Sequence, residues 1–188
     1  MNLQEFITSA IRTESRVETI NVNIRFVEAL IEAIICLGTI LDQFKKNVFY
    51  NKPFDIPTIL NLITDARIAI TTLTRIINTD TLNIKGTADV NPRIFHAVLG
   101  ITTEAVELLE GLDLRNNFVD RINILEEFGD LDWYKAIGID ELNGDWEQLL
   151  ITITEKLRTR YPDKFTSEHA IERNIENERK VLDNKLGK

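Results

Sequence analysis

The sequence predicts an all-α fold, a helical bundle. Three observations carry that expectation. Apolar residues recur at three-to-four spacing along most of the chain, capping residues stand before the periodic runs, and no stretch shows convincing two-residue alternation. Residues 3–13 read as a short helix. Residues 23–47 read as a long one, with Phe26, Leu30, Ile34, Leu37 and Leu41 on one stripe. Pro53 and Pro57 mark 49–58 as a connector. Residues 59–77 follow with helical spacing, although their Ile and Thr content also suits a strand. Residues 79–90 are polar, contain Gly86 and read as a loop. Asn91 then caps a helix with Pro92 in its first turn, where a missing N–H costs little; it runs to about Leu112. Further helices are expected from about Asp120 to Gly138, from Asp145 to Arg160 ahead of Pro162, and after Thr166-Ser167. The expected organisation is one compact domain, with N-terminal helices in 1–90 and a second helical region in 91–188 that ends in a basic segment.

Composition narrows the class. Of 188 residues 44 % are apolar, enough for a core. The single cysteine, Cys36, excludes a disulfide framework and a multi-cysteine zinc site. With no signal peptide, the expected location is a reducing, cytoplasmic compartment. The best apolar run, 29–40, is broken by Glu32 and Gly38, so no membrane association is expected. Net charge is −8, which argues against nucleic acid as a partner. The charge is uneven: 1–100 is balanced, 101–150 carries −10, and 151–188 carries +2.

The acidic block holds two carboxylate-bearing helical segments, Gly100-Ile-Thr-Thr-Glu104-Ala-Val-Glu107-Leu-Leu-Glu110 and Asn123-Ile-Leu-Glu126-Glu127-Phe-Gly-Asp130-Leu-Asp132. Carboxylates three apart share a helix face, so two such helices packed together can converge four of them. A hard cation such as Mg²⁺, with Mn²⁺ as a second choice, prefers such oxygen donors. Val98, Ile101, Ala105, Leu108 and Leu112 define the apolar stripe of the first segment. Glu104 falls at its edge, Glu107 further out and Glu110 nearly opposite. On the second segment spacing alone does not choose between Glu126 and Glu127. Acidic residues at helical spacing are usually a solvated face; position at the edge of an apolar stripe is what points to a cation here.

Phe95-His-Ala-Val-Leu-Gly-Ile-Thr-Thr-Glu104-Ala-Val-Glu107-Leu, followed by Glu127-Phe-Gly-Asp130 and Trp133-Tyr134, resembles the MazG-like all-α nucleotide pyrophosphohydrolases. The tail Lys156-Leu-Arg-Thr-Arg160-Tyr161-Pro resembles a segment of phage and bacterial members, and the likeness spans about residues 92–180. It implies cleavage of a nucleoside triphosphate to monophosphate and pyrophosphate, for control or cleansing of nucleotide pools. It also implies that Glu104, Glu107, Glu127 and Asp130 hold Mg²⁺, that Lys156 and Arg160 contact phosphates, and that Tyr161 packs or contacts the nucleotide. A homo-oligomer, dimer or tetramer, is expected for bundles of this kind. The alternative is a non-catalytic nucleotide- or protein-binding helical protein on the same fold.

Residues 29–70 read as a worn copy of 95–135, which would make the chain an internally duplicated pseudo-dimer. In that register Cys36 and Thr39 fall opposite Glu104 and Glu107, Leu62 opposite Glu127, and Asp65 opposite Asp130. Lys45, Lys46 and Lys52 are then candidates to serve substrate from the worn half; an unrelated hairpin with generic periodicity explains the match equally well. Asp132 and Lys135, at positions expected to be apolar, are spaced to pair with each other. His96, Cys36, Trp133 and Trp146 read as packed residues, and His169 as exposed.

Overall fold

The computed structural model describes residues 1–187. They are mostly helical, as expected: α1 (Leu3–Thr13), α2 (Ile24–Tyr50), α3 (Ile56–Asn78), α4 (Pro92–Glu110), α5 (Arg121–Glu141), α6 (Trp146–Arg160), α7 (Ser167–Ile171) and α8 (Ile175–Leu186). Four strands of two or three residues also form. β1 (Ile20–Val22) pairs with β2 (Gly86–Ala88), and β3 (Leu112–Asp113) with β4 (Phe118–Val119). The segment read as a loop at 79–90 thus contains β2.

The chain divides into two compact units rather than one domain. The first comprises 1–20, 89–154 and the last residues from Asn184; the second comprises 21–88 and 155–183. The halves expected at 90/91 therefore exchange pieces: α1 joins the unit of α4 and α5.

In the first unit α5 is the central element, packed by α4 and α1. Ile7 and Ala10 of α1 meet Ala136 of α5 and Trp146 of α6 in a buried cluster edged by Phe6, Ile11, Trp133 and Ile139. Phe6 meets the Trp146 ring edge-on at 5.9 Å. Arg93, in the first turn of α4, binds Glu14 at 2.8 Å, Asp140 at 2.8 Å and Glu141 at 2.7 Å, tying the end of α1 to both helices of the hairpin. Burial would raise the Glu14 carboxyl, but hydrogen bonds from Arg93 and Arg16 bring it below its ordinary value. The expected Asp132–Lys135 pair is present at 2.6 Å, with the ammonium over the Trp146 ring.

The second unit is built on the α2–α3 hairpin. Its seam uses small residues, Ala29, Ala33 and Cys36 on α2 and Ala66 and Ala69 on α3, while Leu30, Ile34, Leu37, Leu41 and Phe44 stay exposed. α3 starts three residues before its expected position because Asp55 caps it and Pro57 fits its first turn. It is long and apolar enough to cross a membrane by length and composition; a search for unbroken apolar runs passes over it because Asp65 and Arg67 interrupt it.

The caps of the two hairpins keep the register expected for a repeat. α2 and α4 each follow a capping Asn, Asn23 and Asn91, and α3 and α5 each follow a capping Asp, Asp55 and Asp120. In the same register Ala29 and Ala97 are both buried. The Cys36 thiol is raised by burial and then by the charges of Glu32 and Asp65, so Cys36 and Asp65 are neighbours as Glu104 and Asp130 are.

Candidate metal centre

The site is assembled by the α4–α5 hairpin. Asn91 accepts from the backbone of Arg93 and Ile94 to start α4. Asp120 accepts from Ile122 and Asn123 to start α5. Between them β3 and β4 pair Leu112 with Val119 and Asp113 with Phe118, turning through Asn117 in the left-handed region. This short connection sets which residues of the helices face each other.

Close approach of the two helices depends on small residues. Tyr134 packs its ring directly on Gly100, and Ala97 lies against Gly138. In that register one carboxylate oxygen from each of Glu104, Glu127 and Asp130 lies within 4.8 Å of the others. Glu104 is half-buried, Glu127 only 5 % exposed, and Asp130 exposed. The choice spacing left open is resolved: Glu127 is inside and Glu126 is exposed.

Electrostatics follow from this packing. The Glu127 carboxyl is raised above its ordinary value, first by burial and then by Glu104, Asp130 and Glu126. The Tyr134 hydroxyl is raised by burial and by Glu104, Asp130 and Glu107. Asn123 donates to Glu127 Oε1 at 3.0 Å, whereas Glu127 Oε2 is buried and accepts from no donor among the described residues. A buried, unpartnered carboxylate oxygen among like charges is a poor arrangement by itself and a good one around a cation. The donor set, all carboxylate oxygen with one side open, fits a hard divalent ion and leaves room for further oxygen ligands.

The other expected site residues are placed differently. Glu107 is exposed, one turn beyond Glu104, outside the set of converging oxygens. Lys156, Arg160 and Tyr161 belong to the other compact unit. Arg160 is held by Glu178, with Nε at 2.8 Å from Oε1 and Nη2 at 2.5 Å from Oε2, and Arg173 binds the same carboxylate. This guanidinium, expected to contact phosphates, is thus engaged by a buried carboxylate. Tyr161 packs on Phe165 at 5.5 Å and on the Arg160 guanidinium, the packing alternative of its two readings. Lys156 is half-buried and makes no ion pair among the described residues. Lys45 and Lys46 are bound to Asp42, whereas Lys52 makes no ion pair among the described residues. His96 packs edge-on to Trp133 and Tyr134, and Cys36 is buried.

Sequence reasoning passed over two participants. Asn123 was readable as a residue four before Glu127, and Tyr134 as an aromatic one turn beyond Asp130; the pairing of Tyr134 with Gly100 needed the helix register. No family model, curated protein or solved structure matches the chain.

Proposed function

We propose that this chain is a Mg²⁺-dependent nucleoside triphosphate pyrophosphohydrolase that releases nucleoside monophosphate and pyrophosphate. The observation that carries the proposal is the convergence of Glu104, Glu127 and Asp130 around a buried, unpartnered Glu127 oxygen. A helical scaffold gains nothing from such a cluster, since each carboxylate raises the cost of ionising the others. The order of these residues along the chain, in the setting that resembles MazG-like enzymes, supplies the reaction class.

In this reading Glu104, Glu127 and Asp130 hold the cation. Mg²⁺ supplies charge neutralisation at the phosphates when bound. In the same reading Glu107, one turn from Glu104 and exposed, is the carboxylate left over to orient an attacking water by accepting its hydrogen. Tyr134 closes the inner side of the site by filling the space over Gly100. We further propose that α2–α3 is a worn copy of α4–α5: the caps keep register, Asp65 persists, and Cys36, Thr39 and Leu62 stand in place of the carboxylates.

The test is incubation of the chain with a panel of ribo- and deoxyribonucleoside triphosphates and Mg²⁺, with chromatographic separation of monophosphate from diphosphate. Monophosphate as the direct product, lost in Glu127→Gln, supports the proposal. Diphosphate as the product rejects it in favour of cleavage at the terminal phosphate, and no turnover of any triphosphate by folded protein rejects it in favour of a non-catalytic binding protein.

A further inference from the structure

We propose that Asn123 is a positioning residue for the cation centre: it occupies one oxygen of Glu127 and so dedicates the other to the cation. This rests on the reading of Glu104, Glu127 and Asp130 as that centre. Asn123 lies one turn before Glu127 on α5, and its Nδ2 donates to Glu127 Oε1 at 3.0 Å. Oε2 of the same carboxylate is buried and accepts from no donor among the described residues, and the same holds for Asn123 Oδ1. The carboxylate fixes the orientation of the amide, because the flipped form would set Oδ1 against Oε1, two acceptors in contact.

Gly111, the residue that ends α4, makes room for this arrangement. A methyl group there would come to 2.5 Å from Asn123 Oδ1 and 2.9 Å from the Ile124 side chain. A side chain at the end of α4 would therefore displace the Asn123 amide that holds the Glu127 carboxylate. The hydrogen bond restricts the carboxylate before a cation arrives, which lowers the ordering cost of binding. A residue that only filled space between α4 and α5 would leave cation affinity unchanged.

The experiment uses the whole chain. Side-chain and backbone amides are followed by ¹H–¹⁵N spectra during Mg²⁺ titration, and Mn²⁺ affinity is measured by calorimetry on wild type, Asn123→Ala, Gly111→Ala and Glu127→Gln. The expected result is that the Asn123 side-chain amide shifts along the same saturation curve as the Glu104, Glu127 and Asp130 backbone amides. Asn123→Ala and Gly111→Ala, where circular dichroism shows them folded, are expected to weaken Mn²⁺ binding by about ten- to a hundred-fold. An Asn123 amide that stays still while those three backbone signals move, or a folded Asn123→Ala that binds within two-fold of wild type, overturns the positioning role. A wild type that responds to neither ion overturns the cation centre itself. The wild-type titration decides the matter even if the variants do not fold.

Discussion

Tyr134 sits where a side chain at Gly100 would have to be. Atoms of its ring lie against the position a Cβ would take, far inside van der Waals distance. Gly100 is one turn before Glu104 and Tyr134 one turn after Asp130, so this contact sets the spacing of the two carboxylate helices at the site. Gly100→Ala is expected to destabilise the chain by about 1–3 kcal/mol, the usual cost of overpacking, despite the better helix propensity of alanine. Urea unfolding measures the loss. Stability equal to or above wild type would show that Tyr134 moves aside freely.

Glu127 gives a prediction of opposite sign. Its carboxyl is raised by burial and by neighbouring carboxylates, so the ionised form is penalised in the fold at neutral pH. The penalty is fully present above the raised folded value and is relieved as pH falls toward the ordinary one. A neutral isostere removes it. Glu127→Gln without divalent ion is therefore expected to melt higher than wild type at pH 7. Wild type should gain stability on addition of millimolar Mg²⁺ through binding linkage, and the variant should not. Differential scanning fluorimetry with and without Mg²⁺ reads both, and a variant that melts lower while keeping the Mg²⁺ response would contradict the account.

The Arg160–Glu178 pair governs acid behaviour in the other unit. Hydrogen bonds from Arg160 and then Arg173 hold the Glu178 carboxyl down at about 2, and Glu178 is only 4 % exposed. A depressed folded value stabilises above the ordinary value of 4.5 and loses that contribution as pH falls from there toward 2. Arg160→Ala is expected to cost about 2 kcal/mol at pH 7, since it removes one of the two guanidinium partners of a buried carboxylate and leaves Arg173, and less at pH 3. Denaturant unfolding at the two pH values tests this. An unaltered stability at pH 7 coupled with a raised KM for nucleotide would return Arg160 to a substrate role.

The exposed apolar side chains of α2 and α3 carry a prediction about assembly. Leu37, Leu41, Phe44, Leu60, Ile63 and Ile68 all face out of the hairpin, and apolar surface on this scale marks an interaction face. The chain is expected to self-associate, and paired substitutions Leu41→Glu and Phe44→Glu should shift it toward monomer. Sedimentation velocity measures both. A wild-type monomer at tens of micromolar would count against self-association.

Local capping signals in the sequence decide several helix boundaries. Residues 3–13 form α1, whose Asn2 and Glu5 make a reciprocal capping box. Asn91, Asp120 and Pro162 mark real boundaries. Pro57 misled because proline suits the first turn of a helix as well as a connector. The last helix splits into α7 and α8 because Asn174 caps a new start, accepting from Asn177. Within the site the apolar stripe set both Glu104 and Glu107 beside the helix interface, whereas only Glu104 joins the converging oxygens and Glu107 is exposed. Spacing did not separate Glu126 from Glu127, since α5 carries apolar residues around much of its circumference and is packed from two sides. The engagement of Arg160 was hidden because its partner lies 18 residues away.

The central claim is that the Glu104–Glu127–Asp130 centre drives cleavage of a triphosphate into monophosphate and pyrophosphate. Real-time ³¹P spectroscopy of the wild-type chain with deoxyribonucleoside triphosphates and Mg²⁺ tests it most directly. The account predicts a pyrophosphate signal that rises as the triphosphate signals fall, absent when Mg²⁺ is chelated and absent in Glu127→Gln. Unchanged triphosphate spectra with folded wild-type protein and Mg²⁺, or orthophosphate appearing with diphosphate, would contradict it.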